Sequence, residues 1–349
     1  MKKILLALCA VAALASCTNN EVVNLDQEAI TFDGAFVDNA TKAANTDDGD
    51  GFTITSDNIT SVGGGTFDVW ANTKHGSNIV PILEKEAVTY HNSGWGYAEA
   101  STQYWIPGNT YNFVAVKNGT VTELVNGLPE TITYNWHFNA ADYLYGQDLI
   151  YAEVKNVEGQ TSGNNPVSFS FNHLLSKVYF TVDLTEMSQA NENYAYMISV
   201  SFTNVSESGS YKVSTDTWTV TEYGDDFNFV FRAHRAPGDS RDVYLLSAGD
   251  KYVSDKARLV VPAVFDLDAA TTYPALRISG SLETFYGDDM INSEELNIDI
   301  AQTFERGHVY NFVLKLGNPG EEIEFTVNDV TGWTTDHNGN GEADDNINL

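Results

Sequence analysis

The residues best able to do chemistry sit at the two ends of this 349-residue chain. Cys17 follows Leu14-Ala15-Ser16, a branched apolar residue and two small ones, behind a cationic Lys2-Lys3 and an apolar run from Ile4 to Leu14. A run of about a dozen apolar residues falls short of the ~20 that cross a bilayer and reads as an export leader. A cysteine at the cut is the acceptor for diacylation of its thiol, and two or three acyl chains hold a protein to a membrane where one would be marginal. The expectation is a lipoprotein signal peptide over residues 1–16, lipidation at Cys17 and a polar tether over 17–28. The other cysteine, Cys9, leaves with the leader. No thiol then remains for a disulfide, a thiolate metal site or a nucleophile.

At the far end, Asp336, Asn338, Asn340 and Gly341 occupy positions 1, 3, 5 and 6 of a calcium loop. Position 12 is Ile347 where a bidentate Glu is needed, and no helical pattern follows. An acidic tail over 336–349 is the simpler reading, and no metal is assigned. Lys42 is the only basic residue between Cys17 and Lys74. A trypsin-like protease would find one bond to cut there, Lys42–Ala43; an ordinary solvated lysine would look the same.

Catalytic constellations are missing. There is no H-E-x-x-H and no G-x-S-x-G, and His75, His91, His137, His173, His234, His308 and His337 stand apart from one another. "VGGGT", from Val62 to Thr66, runs into a strand pattern and so offers no helix N-terminus to a phosphate. The chain reads as a non-enzyme without cofactor, with His173 a hydrogen-bonded structural residue. The aromatic block Trp95, Tyr97, Tyr104, Trp105 admits two readings: exposed rings that stack on sugars, or hairpin residues packed on a core. With 48 acidic against 18 basic residues the net charge is −30, and loss of Lys2 and Lys3 makes it two units more negative. Such a surface repels phosphate backbones, which excludes nucleic acid as a partner.

The elements that must position these residues are strands. Short runs with period-2 alternation, such as "GTFDVWANT", "NTYNFVAVKNG", "PVSFSF" and "HVYNFVLKL", are separated by turns of Gly, Asn and Pro, the pattern of antiparallel sandwiches. In "AITFDGAFVD", strict alternation puts Ile30, Phe32 and Phe36 on one face, with Gly34 between them, and Thr31, Asp33 and Val37 on the other. The polar stretch "EGQTSGNNP", from Glu158 to Pro166, suggests a boundary between a domain over 29–164 and another over 165–335.

Several motifs together resemble the fimbrillin family, the type V pilins and Mfa-like lipoproteins. They are the cysteine motif, the early "ITFDGAFV" strand, the "W-G-Y … Y-W-x-P … Y-x-F" block from Trp95 to Phe113, "F-x-H-x-L-S-K-V" from Phe171 to Val178, "G-x-x-Y-x-F-x-L" from Gly307 to Leu314, and "V-x-x-W" from Val330 to Trp333. The resemblance implies an all-β chain of two tandem transthyretin-like antiparallel β-sandwich domains, carried to the outer membrane and cell surface as a lipoprotein. It further implies cleavage by a trypsin-like protease, here after Lys42. The first strand, with Ile30, Phe32 and Phe36, would depart and the groove would receive a strand from another pilin subunit. Burial of three such side chains is worth roughly 5–9 kcal/mol before ordering costs. Two departures stand out. The family protease favours Arg, and the first Arg here is Arg232; and nothing after Trp333 alternates, which points to a tip or accessory subunit. The alternative is a permanently tethered surface lipoprotein that binds host or microbial glycans through Trp95, Tyr97, Tyr104 and Trp105.

Overall fold

The computed structural model describes residues 28–37, 66–91, 94–136, 148–160, 166–187, 194–229, 231, 245–254, 257–268, 274–287, 289–317 and 324–331. Cys17, Lys42, Ala43, Asp336, Asn338 and Asn340 lie outside them. The first nine strands are β1 (Phe32–Val37), β2 (Thr66–His75), β3 (Asn78–His91), β4 (Gly94–Gly96), β5 (Thr110–Lys117), β6 (Thr120–Val125), β7 (Leu128–Tyr134), β8 (Ile150–Glu158) and β9 (Val167–His173). There follow β10 (Ser176–Asp183), β11 (Tyr194–Lys212), β12 (Thr217–Phe229), β13 (Lys251–Val253), β14 (Arg258–Val260), β15 (Val264–Phe265), β16 (Leu276–Tyr286), β17 (Asp289–Ile300), β18 (Gln302–Thr303), β19 (His308–Lys315) and β20 (Glu324–Thr331). The fold is all-β, with only two short 3₁₀ turns, Glu99–Ser101 and Val213–Thr215, among the described residues.

Seven strands close into a barrel in the order β1-β4-β3-β2-β5-β8-β9. Two large sheets and the two-stranded pair β15–β18 form the second half. One runs β13-β10-β19-β20 with β14 also on β10; the other runs β17-β16-β11-β7-β6 with β12 also on β11. Pairing is antiparallel except at two places, β1 with β9 and β10 with β19. Hydrogen bonding carries both halves across the expected boundary at 164/165: β9 completes the barrel, while the β6–β7 hairpin, far upstream, extends the sheet of β11. That hairpin turns through Asn126 (φ 54°) and Gly127 (φ 79°), the left-handed pair that matches the twist of a two-residue connection.

Burial follows the strand period. In β9, Val167, Phe169, Phe171 and His173 point inward and the residues between them outward. Strand β10 is buried at every position because both its faces are covered. Val178, Phe180 and Val182 join the core between the two sheets, whereas Tyr179 belongs to a separate cluster with Trp70, Val116, Tyr211 and Val309 that lies between the barrel and the sandwich. Barrel interior, sandwich interior and the seam between them are thus three apolar cores.

One local device recurs three times. Ile106, Ser247 and Glu305 each donate a backbone N–H to the hydroxyl of the tyrosine five residues on, Tyr111, Tyr252 and Tyr310, at 2.7, 3.0 and 2.9 Å. Between each pair a glycine takes a positive φ: Gly108 at 84°, Gly249 at 89° and Gly307 at 72°. A left-handed turn brings the chain back over the ring, and only glycine adopts it without a Cβ penalty. Two copies extend further, as "GNTYNFV" on β5 and "GHVYNFV" on β19, so barrel and sandwich each carry the same strand start.

Candidate functional site

The segment Glu28 to Val37 is the stave that closes the barrel. On one side its lead-in is zipped to the loop before β5: the Ile30 N–H donates to the Gln103 carbonyl at 2.8 Å, and the Trp105 N–H donates to the Glu28 carbonyl at 2.9 Å. On the other side β1 runs parallel to β9, and the Val167 N–H donates to the Thr31 carbonyl at 2.8 Å. With β4 the strand shares a single registered pair, Phe32 opposite Trp95.

Ile30 and Phe32 are 1% and 5% exposed, as their place on one face requires. The Phe32 ring stacks on Phe169 at 5.8 Å and meets the edges of Tyr97 and Phe113 at 5.4 and 6.2 Å. The register with β9 changes along the strand. The ladder slips between Asp33 and Ala35, so that Ala35 and Val37 register with the inward positions Phe169 and Phe171, and Phe36 registers with the outward Ser170. The physical reason is Gly34. A glycine inside a strand packs nothing and commonly marks a bulge, and one extra residue reverses every later face. Burial of Ile30 and Phe32 contributes roughly 3–6 kcal/mol.

The aromatic block lines this groove. Trp105 is 1% exposed and packs edge-on against Tyr111 and Phe113, so it is core. Trp95 and Tyr97 are half-buried against the barrel interior. Tyr97 donates its hydroxyl to the Ile30 carbonyl at 2.9 Å and accepts the Gln103 N–H at 3.1 Å, and burial foremost raises its pKa, so it stays a neutral donor. Tyr104 is the exposed member, at 48%. The four do not present a shared outward platform: three of them hold the first strand. Their role as its lining was missed in the sequence, though the capacity of the Tyr97 hydroxyl both to donate and to accept was a signal.

His173 is structural as expected, buried with its Nδ1 2.6 Å from Asp148 Oδ2. Lys117 is buried on β5 and donates to the Thr66 carbonyl at 2.9 Å; desolvation lowers its pKa. Among the described residues no group of three or more His, Cys, Asp or Glu could hold a metal ion.

A closed β-barrel completed by its own first strand and packed on a two-sheet sandwich defines an all-β class of fold. The Fimbrillin-like family model matches residues 41–333, and the chain belongs to that family. Among solved structures, a fimbrial protein from Bacteroides vulgatus matches with 15% identity, 88% of this chain and 99% of that one covered, and a TM-score of 0.60. A putative cell adhesion protein from Bacteroides uniformis matches with 19% identity over 75% and 91% of the two chains, at a TM-score of 0.39. The tip fimbrial protein Mfa3 from Porphyromonas gingivalis matches with 10% identity over 76% and 94%, at 0.37. Comparison with curated proteins gave no match.

Proposed function

We propose that this chain is a cell-surface fimbrial subunit whose N-terminal segment is a placeholder. Exported as a lipoprotein held at Cys17, it reaches the outer membrane with its own strand closing the barrel. A trypsin-like protease cuts after Lys42. The segment through Val37 then leaves, and a strand from another pilin subunit takes its place along β9.

The observation that carries this reading is the attachment of the stave. Its longest ladder, with β9, is interrupted by a register shift between Asp33 and Ala35, it shares one registered pair with β4, and Ile30 and Phe32 are buried in the groove. A peptide supplying alternate apolar residues satisfies the same backbone groups, which is the chemistry of β-augmentation. The family match covers residues 41–333, past this strand.

A second reading, a permanently tethered lipoprotein, draws on the bonds at Glu28, Ile30 and Thr31, which fasten the segment on both sides. Limited trypsin digestion of the mature chain followed by size-exclusion chromatography separates the two. Placeholder removal gives one early cut at Lys42–Ala43 and then higher oligomers or uptake of an added donor peptide. A tethered protein gives a nicked or intact monomer that retains residues 28–37.

A further inference from the structure

Away from the first strand, a cleft of about 460 Å³ opens between barrel and sandwich. Its two walls carry the same arrangement. On β8, Tyr151 donates its hydroxyl to Glu153 at 2.8 Å, and Lys155 pairs with the same Glu153 Oε2 at 2.7 Å. Opposite, at the end of β11 and the turn before β19, Tyr211 donates to Asp216 at 2.8 Å and Arg306 pairs with Asp216 at 2.7 Å. The tyrosine rings meet edge to face at 6.4 Å between the walls.

The residues 151, 153 and 155 alternate along one strand face, so the chain aims all three the same way. Burial foremost, then the bond to a carboxylate, raises the pKa of both tyrosines, and they remain hydroxyl donors that fix the carboxylates. Arg306 holds the Asp216 carboxyl below its ordinary range, so that group stays ionised. Each pair keeps unused capacity. A carboxylate has about four acceptor sites and Glu153 spends two here; a lysine has three donors and an arginine five, of which these contacts use one and two. Leu128 and the 48%-exposed Val125 add an apolar flank.

The geometry points to this cleft as a binding site for a neutral saccharide of one or two rings. A sugar hydroxyl donates and accepts at once, and each wall offers a fixed acceptor beside a fixed donor. The charges are balanced wall by wall, and Glu130 at the rim is matched by Lys212 at 3.8 Å, so the lining selects no net charge. The −30 net charge disfavours an anionic ligand. The volume falls in the range of about 300–1,000 Å³ typical of small-ligand sites. The inference is independent of strand exchange, since Tyr151 and Tyr211 belong to the cluster between barrel and sandwich and not to the one around Phe32.

The test is saturation-transfer NMR and calorimetric titration of the uncleaved mature chain with lactose, N-acetyllactosamine, chitobiose, maltose and mannobiose. At least one should bind, and Glu153→Gln and Arg306→Gln should each weaken it about tenfold or more, the loss expected for a charge-assisted hydrogen bond. Lys155→Gln, at an exposed residue that leaves the fold undisturbed, should weaken it as well; that variant decides the matter if the others misfold. Tyr104→Ala should leave binding unchanged. Absence of binding across the panel, or binding indifferent to Lys155→Gln and Glu153→Gln, overturns the assignment.

Discussion

Tyr97 and Ile30, separated by 67 residues, are joined by a hydroxyl-to-carbonyl hydrogen bond of 2.9 Å, and the same hydroxyl accepts the Gln103 N–H. One side chain thus ties the incoming strand to the loop before β5. Tyr97→Phe keeps the ring against Phe32 and deletes both bonds. The cost should be about 1 kcal/mol in urea unfolding, with a faster release of residues 28–37 after trypsin treatment. Release at an unchanged rate would mean that the bonds do not hold the segment.

Phe32 is the larger anchor. Phe32→Ala empties a site walled by Tyr97, Phe113 and Phe169, and core truncations of this kind cost about 3–5 kcal/mol. Hydrogen exchange should show the loss concentrated in the barrel, because the cluster around Phe180, Phe202 and Phe312 has no contact with this residue's core.

The neighbours Tyr104 and Trp105 separate surface from core. Trp105→Leu should lower the melting temperature by several degrees, as expected for a fully buried ring in a closely packed barrel. Tyr104→Ala should change stability by no more than about 0.5 kcal/mol. Equal effects would contradict the placement of the aromatic block.

Asp183 sets part of the acid response. Burial raises its pKa, but bonds from the Thr185 hydroxyl and N–H and from Lys251 outweigh it and hold the carboxyl below the ordinary 3.8. Its folded pKa lies below its unfolded one, so its contribution is fully present above about pH 4 and is lost as pH falls through the folded value. Asp183→Asn should flatten the acid limb of the stability profile below about pH 4 and leave its shape near neutrality alone.

Much of the fold was legible in the residues. Alternation in "PVSFSF" reproduces β9 position by position, and the turn residues mark most strand ends. Periodicity says nothing of partners, however. Parallel pairing of β1 with β9, and attachment of the β6–β7 hairpin to β11, depend on long-range packing that no local pattern encodes. The polar loop at Glu158 to Pro166, where the divide was placed, connects two strands that pair in the barrel, which no local pattern encodes either. The alternation that puts Ile30 and Phe32 on one face was visible, whereas the register shift between Asp33 and Ala35 was not, because the alternation was carried through Gly34 as though a glycine kept the pleat. The cleft at Glu153 and Arg306 was invisible, its two walls lying some 150 residues apart in the chain.

The most direct measurement is N-terminal sequencing, with intact mass, of the assembled form taken from the cell surface. A terminus at Ala43, with residues 28–37 gone and a strand of another subunit cross-linking to β9, is the outcome expected of a placeholder. An acylated Cys17 at the terminus of the assembled form, with residues 28–37 still in place, would show that the barrel keeps its own stave and that assembly does not proceed by exchange there.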